Sequence, residues 1–300
     1  MILGGVEAGG TKFVCLVGDG EGRILAERRI PTRGPRETLA EAVDAMRRAT
    51  VETGALDAIG VGAFGPLDLR PGSGYGRLLS TPKPGWSGVD LVSPLNDAFG
   101  VPVAIDTDVT AAALAEGRWG AARGLESFAY MTVGTGIGVG VIAGGRPLHG
   151  LVHPELGHVN VPRAPGDDFP GVCPFHADCL EGMASGPAIA ARWGVPAEDL
   201  DGALRERAVE LEAIYLASGI RTLVYAVAPQ RILLGGGVAG LAGLLPRVRA
   251  HIELALGGYP GLPEHADSAF VQAAGLGAMA GPRGALVIAE SALGFANASA

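Results

Sequence analysis

The first thirty residues alternate between short apolar runs and small-residue turns, the pattern of strands joined by tight hairpins. Residues 2–7 form one run and 12–17 a second, and Asp19, Gly20, Glu21 and Gly22 then turn the chain into 24–30. Between 35 and 53, Leu39, Ala42, Val43, Met46 and Ala49 recur at helical spacing on one face. Residues 58–64 read as a short buried strand. Residues 65–88, rich in Gly and Pro, read as a long loop of the kind that carries function. A strand is expected over 101–105, then a helix from Thr107 or Asp108 to Gly117.

The opening pattern returns about 125 residues later. Strands at 128–133 and 137–143 flank Gly134, Thr135 and Gly136, and Gly144-Gly145 leads into a third at 146–149. The echo predicts two similar α/β halves. Beyond Cys179 the pattern turns helical over 185–193, 200–226 and 241–256, with one strand at 231–234. The last stretches, 269–279 and 285–293, read as helices of small residues.

Composition narrows the class. A chain of 300 residues with 48% apolar positions can bury a sizeable core, and with 5% aromatics that core must be Ala, Val, Leu and Ile. The net charge is −8, lysine is nearly absent and no basic block exceeds two residues, which argues against a nucleic-acid surface. There is no run of 18 apolar residues, so no membrane span is expected. The start lacks a basic region followed by an apolar run, and Cys15, Cys173 and Cys179 make no disulfide framework. A soluble, cytoplasmic protein is the expectation.

Two glycine turns are the first candidate chemistry. One is Gly9-Gly10-Thr11-Lys12 after Glu7-Ala8, and the other is Gly134-Thr135-Gly136. Glycine lets backbone N–H groups approach phosphate oxygens, and the threonine hydroxyls can donate to the same oxygens. Either turn alone reads equally as a plain hairpin, but two of similar form in similar halves favour phosphate. Neither fits the P-loop or the dinucleotide fingerprint. A third turn, Gly235, Gly236, Gly237, Val238 and Ala239, has the form of a strand-to-helix turn that a nucleotide base or ribose passes. Asp106 and Asp108 both stand at a strand end before a helix. There a carboxylate serves as a helix cap or as a general base, and the sequence leaves the two open.

The most specific cluster is His158 with Cys173, His176 and Cys179. Two Cys and two His form a closed tetrahedral set suited to structural Zn²⁺. His153 is a weaker competitor, and Cys15, in an apolar strand, reads as core.

Taken together these motifs resemble the ROK kinases, and among them the bacterial zinc-containing fructokinases. The segments that carry the resemblance are Gly5 through Phe13, Gly62-Ala63-Phe64-Gly65-Pro66-Leu67-Asp68 and Thr81-Pro82-Lys83-Pro84-Gly85-Trp86. They continue with Asp106-Thr107-Asp108-Val109, Gly134 through Gly138, Glu155-Leu156-Gly157-His158 and Cys173 through Gly182. The resemblance implies an actin-like, ribonuclease-H-like α/β fold of two domains with an active-site cleft. The smaller domain is expected over 1–108. The larger is expected over 109–300, with the zinc segment at 153–182 and a last helix that returns to the first domain. It implies ATP-dependent phosphorylation of D-fructose at the 6-hydroxyl with Asp108 as base. Sugar contacts are implied from Gly65, Pro66, Thr81, Asp108, Glu155, His158 and Glu181. ATP contacts are implied from Gly9, Gly10, Thr11, Lys12, Gly134, Thr135, Gly136, Pro187 and the turn from Gly235 to Ala239. Mg²⁺ would accompany ATP, His158 would serve metal and sugar together, and a homodimer is the family expectation. Thr110 departs from the family, which often has Asn there. Kinases for mannose, glucose or an N-acetylated amino sugar are the alternative. A sugar-sensing regulator is a distant one, because the first strand starts at Ile2 with no DNA-binding segment ahead of it.

Overall fold

The structure, a computed structural model, describes residues 1–298. It comprises two compact units. One is Met1–Gly120 with Pro147–Pro154 and Ala278–Ala300, and the other is Ala121–Arg146 with Glu155–Gly277.

The first unit is built on β1 (Ile2–Ala8), β2 (Lys12–Asp19) and β3 (Ile24–Pro31), the expected meander. After α1 (Pro35–Thr53) come β4 (Ala58–Ala63) and a small hairpin of β5 (Leu67–Asp68) and β6 (Arg77–Leu78). Next are α2 (Ser93–Phe99), β7 (Val103–Thr107) and α3 (Asp108–Trp119). The main sheet has the order β3-β2-β1-β4-β7, antiparallel through the meander and parallel from β1 to β4 to β7. One face holds the core of α1 around Met46, with Phe13, Val61 and Trp86. The other is covered by the C-terminal helix, Ala280–Ala298. That contact is close because glycine allows it. A Cβ on Gly60 would lie 1.9 Å from the Ala285 carbonyl oxygen, and one on Gly284 would lie 1.8 Å from that of Ala111.

The second unit repeats the plan. Strands β8 (Phe128–Val133), β9 (Ile137–Ala143) and β10 (Arg146–Pro147) form the second meander. Helices α4 (Leu180–Ala184), α5 (Gly186–Trp193) and α6 (Gly202–Val227) follow, then β11 (Ile232–Gly235), α7 (Leu244–Leu256) and β12 (Val271–Ala273). The sheet order β10-β9-β8-β11-β12 reproduces the first, with β8, β11 and β12 parallel. Its core gathers Met131, Leu180, Tyr215, Leu216, Ile220 and Leu234. None of the described helices is long and apolar enough to cross a membrane.

Local expectations are corrected at several places. Residues 269–279, read as helix, instead supply the edge strand β12 and a short 3-10 turn, because Val271, Gln272 and Ala273 pair with Ile232, Leu233 and Leu234. Residues 185–193 lose their first position to an N-cap: the Ser185 hydroxyl accepts from Ala188 N and starts α5 after the separate short helix α4. The third strand at 146–149 is only two residues long.

Candidate functional site

In the first unit the chain leaves β1 at Ala8, turns through Gly9, Gly10 and Thr11, and re-enters the sheet at Lys12. Gly9 N donates to Lys12 O at 3.0 Å, and a Cβ on Gly9 would lie 2.8 Å from that oxygen, so the turn needs glycine there. Nothing lies within 4 Å of a Cβ on Gly10, so this face is open to a ligand. Thr32 braces the turn, its hydroxyl donating to Gly9 O at 2.7 Å. Glu7, just upstream, is held up at about 7 by burial and by the charge of Asp108, against the pull of Lys12 and Arg29.

The loop after β4 carries a cis peptide at Gly65-Pro66. Leu67 N then donates to His153 Nε2 at 2.9 Å, and His153 lies outside the Cys/His cluster of the second unit. Farther along, Thr81 and Lys83 lie on a loop anchored by Trp86. That indole is fully buried, rests against Phe13 and Phe64, and donates to Arg33 O. Lys83 N approaches the Thr81 hydroxyl at 3.4 Å, and the Lys83 ammonium donates to Gly10 O.

The strand-to-helix junction separates the two acids that the sequence left open. Thr107 is the N-cap of α3: its hydroxyl accepts from Thr110 N at 3.1 Å and donates to the Thr110 hydroxyl at 2.8 Å. Asp106 is buried and tied down, accepting from Thr107 N at 2.7 Å and facing His149 Nε2 at 3.2 Å. Asp108 accepts from Val109 N at 2.8 Å, keeps part of its surface exposed, and is pushed up to about 6 by desolvation. Asp106 is thus held by two partners, while Asp108 keeps a partly exposed carboxylate. Thr110, where the family often has Asn, has its hydroxyl turned into the cap.

In the second unit the matching turn is closed by Gly134 N to Gly136 O at 2.9 Å and by Gly186 N to Gly134 O at 2.7 Å. It opens on a cavity of about 700 Å³ whose lining includes Thr135, Pro187, Gly237, Val238, Glu198 and Arg205. Gly235, Gly236 and Ala239 support this cavity without lining it. A Cβ on Gly235 would meet the Tyr130 hydroxyl at 2.3 Å, and Gly236 has a φ of +90° against Val133 O. Ala239 packs on the core.

The same unit gathers all four expected metal ligands. His158 ends a 3-10 turn, Leu156–His158, that lies against β9 because a Cβ on Gly157 would come 1.7 Å from Ile137 O. Cys173 and Ala177 exchange both backbone bonds, closing a tight loop that presents His176, and Cys179 is the N-cap of α4. Sγ of Cys173 lies 3.6 Å from His158 Nδ1 and 3.8 Å from His176 Nδ1, and Sγ of Cys179 lies 3.5 Å from His158 Nδ1. A tetrahedral zinc ion with ordinary Zn–S and Zn–N bonds places S and N about 3.6 Å apart. All four donor atoms fall within 4.8 Å of one another, so the set fits the ion. Burial pushes the Cys179 thiol up to about 11, and a divalent cation in place of its proton relieves that cost. The outer nitrogen of His158 is 4.0 Å from Glu181 Oε1, and Glu181 Oε2 accepts from Ile137 N at 3.0 Å. One imidazole therefore links the metal cluster to an acid that is itself fixed to the glycine turn.

The ROK family pattern matches residues 3–292 of the chain. This protein belongs to the ROK family. A fructokinase from Zymomonas mobilis is 44% identical over 97% of both chains. The ROK hexokinase of Thermus thermophilus has a similar structure, with a TM-score of 0.81 and 34% identity over 98% of this chain and all of that one. A ROK glucokinase from Streptomyces griseus, solved with glucose and AMPPNP, has a TM-score of 0.77 and 28% identity over 97% of this chain and 100% of the other. The ROK sugar kinases have the two-domain actin-like ATPase fold, and the repeated sheet order of the two units is that of this fold.

Four side chains of this ROK protein escaped the sequence reading. Glu7 was visible as a lone acid inside an apolar strand just ahead of Gly-Gly-Thr. Lys83 was visible as a rare lysine within the Thr81 to Trp86 segment, with no role assigned to it. Glu198 and Arg205 carried no signal, since one lies on a surface turn and the other in the first turns of a long helix.

Proposed function

We propose that this protein is a fructokinase, transferring the γ-phosphoryl group of ATP to the 6-hydroxyl of D-fructose. The observation that carries this reading is the near full-length likeness to a fructokinase, joined to a Cys/His cluster that shares His158 with Glu181. Asp108 takes the hydroxyl proton. A carboxylate held at about 6 is ionised at neutral pH, yet basic enough to accept a proton as the new P–O bond forms. Most of the remaining barrier is lowered by positioning and by neutralising phosphate charge.

In the turn of Gly9, Gly10, Thr11 and Lys12, Gly9 N closes the turn on Lys12 O, and the N–H groups of Gly10 and Thr11 are the ones offered to phosphate oxygens. In the second unit, Gly134, Thr135 and Gly136, the cavity wall at Pro187, Gly237 and Val238, and the supporting Gly235, Gly236 and Ala239 hold the nucleotide. Glu7 is a partly buried carboxylate whose desolvation and repulsion from Asp108 Mg²⁺ would relieve, and such an ion neutralises triphosphate charge. Gly65, Pro66, Thr81, Glu155, His158 and Glu181 are the sugar contacts that the family resemblance assigns. Zinc would be held by His158, Cys173, His176 and Cys179 as a structural ion that fixes the ring of His158. A cytoplasmic homodimer belongs to the same proposal. A coupled assay with Mg-ATP and fructose, mannose, glucose and N-acetylated amino sugars tests it. Turnover should be highest with fructose, and preference for another hexose would move the assignment to that sugar.

A further inference from the structure

Twenty-three residues of the chain are Lys or Arg, and only two of them, Lys12 and Lys83, are lysine. Every other cationic position is arginine. Arg and Lys serve equally on a solvated surface, so a chain that uses Arg almost everywhere keeps Lys where a compact ammonium is needed. Both lysines converge on one place. Lys12 ends the glycine turn, and the Lys83 ammonium donates to Gly10 O, 73 residues away in sequence.

Resting on the reading of the glycine turn as a phosphate turn, we propose that Lys83 is a catalytic residue whose ammonium touches the γ-phosphoryl group during transfer. Three features of the geometry support this. The bond to Gly10 goes to a carbonyl oxygen, which orients the ammonium without neutralising it, and an ammonium has two further donors to give. The side chain is part-buried, where a charge acts more strongly than in water. Its loop is fixed at both ends of the transfer. Lys83 N faces the hydroxyl of Thr81, assigned to the sugar, while Nζ reaches Gly10, assigned to phosphate. The burial of Trp86, three residues on, holds the loop in that position. Lys83 thus lies where the phosphoryl group must travel, with a positive charge suited to the equatorial oxygens of its transition state.

The test compares wild type with Lys83→Met and Lys83→Arg in the intact protein, using steady-state kinetics and calorimetric binding of ADP and of a nonhydrolysable ATP analogue. Lys83→Met should lower kcat roughly 100-fold or more, the usual cost of removing one preorganised donor. KM for fructose should stay within about threefold, analogue binding should weaken and ADP binding should not. Lys83→Arg should restore little of kcat, since a planar guanidinium does not reproduce the position of the ammonium. If Lys83→Met keeps more than about a third of wild-type kcat, or weakens ADP, analogue and fructose alike, the residue merely closes the loop and the proposal is overturned. Wild-type protein that phosphorylates no sugar with Mg-ATP would overturn the kinase reading itself, and Lys83 with it.

Discussion

Removing the metal from the Cys/His cluster should cost stability and sugar affinity while sparing the nucleotide. The four side chains span His158 to Cys179, so an ion held by them would close a chain loop much as a covalent cross-link does. A cross-link over about 15 residues is worth roughly 3 kcal/mol. The second unit keeps a large apolar core without the ion, so the loss should be of that order and not global unfolding. At roughly 2–4 °C per kcal/mol for a protein of this size class, the melting temperature should fall by about 6–12 °C. The functional consequence follows from His158, whose Nδ1 faces both sulfurs while Nε2 stands 4.0 Å from Glu181. Freed from the metal, the ring loses its orientation, and KM for the sugar should rise about 10- to 100-fold, the usual cost of losing such support. The cavity at Thr135, Pro187 and Val238 contains none of the four ligands, so affinity for an ATP analogue should change less than about threefold. The assay is thermal melting, sugar kinetics and analogue binding on chelator-stripped protein, with metal content measured and zinc then restored. Verified metal-free protein with unchanged melting and unchanged sugar KM would refute the reasoning, as would equal loss of sugar and nucleotide binding.

Three further outcomes are expected. Asp108→Asn should lower kcat by about 10²–10⁴-fold, and wild-type kcat should fall as pH drops through about 6, where Asp108 becomes protonated; a flat profile from pH 5 to 8 would exclude it as the base. Glu7→Gln should abolish most activity yet raise the melting temperature above pH 7. The folded value of about 7 exceeds the ordinary 4.5, so its contribution to stability is fully present below 4.5 and lost as pH rises through 7, up to about 3 kcal/mol in all. A melting temperature that falls at pH 8 would contradict this. Gly60→Ala should destabilise by about 1–3 kcal/mol or more, because the added methyl meets the Ala285 carbonyl; chemical denaturation within error of wild type would contradict the packing.

Much of this fold was legible because its signals are local. Strand, glycine turn and strand repeat within twenty residues, and the two meanders are found as expected. The Cys/His cluster was legible because Cys and His are rare here and four of them fall within 22 residues. What escaped is non-local. Val271, Gln272 and Ala273 become a strand only because β11, forty residues upstream, offers a free edge. Residues 147–154 lie between two stretches of the second unit in sequence yet belong to the first, where His149 meets Asp106 and His153 meets Leu67. That Asp106 is tied down likewise depends on a histidine forty residues away. The repulsion between Glu7 and Asp108 and the reach of Lys83 to Gly10 depend on distances in space that no spacing along the chain records.

The central claim is tested most directly by measuring kcat/KM for fructose, mannose, glucose and N-acetylated amino sugars with saturating Mg-ATP on one zinc-loaded preparation. The account predicts fructose 6-phosphate as the main product and fructose ahead of each competitor by about tenfold or more, the discrimination that one or two hydroxyl contacts supply. Equal or greater efficiency with another hexose, or no transfer to any sugar, would contradict it.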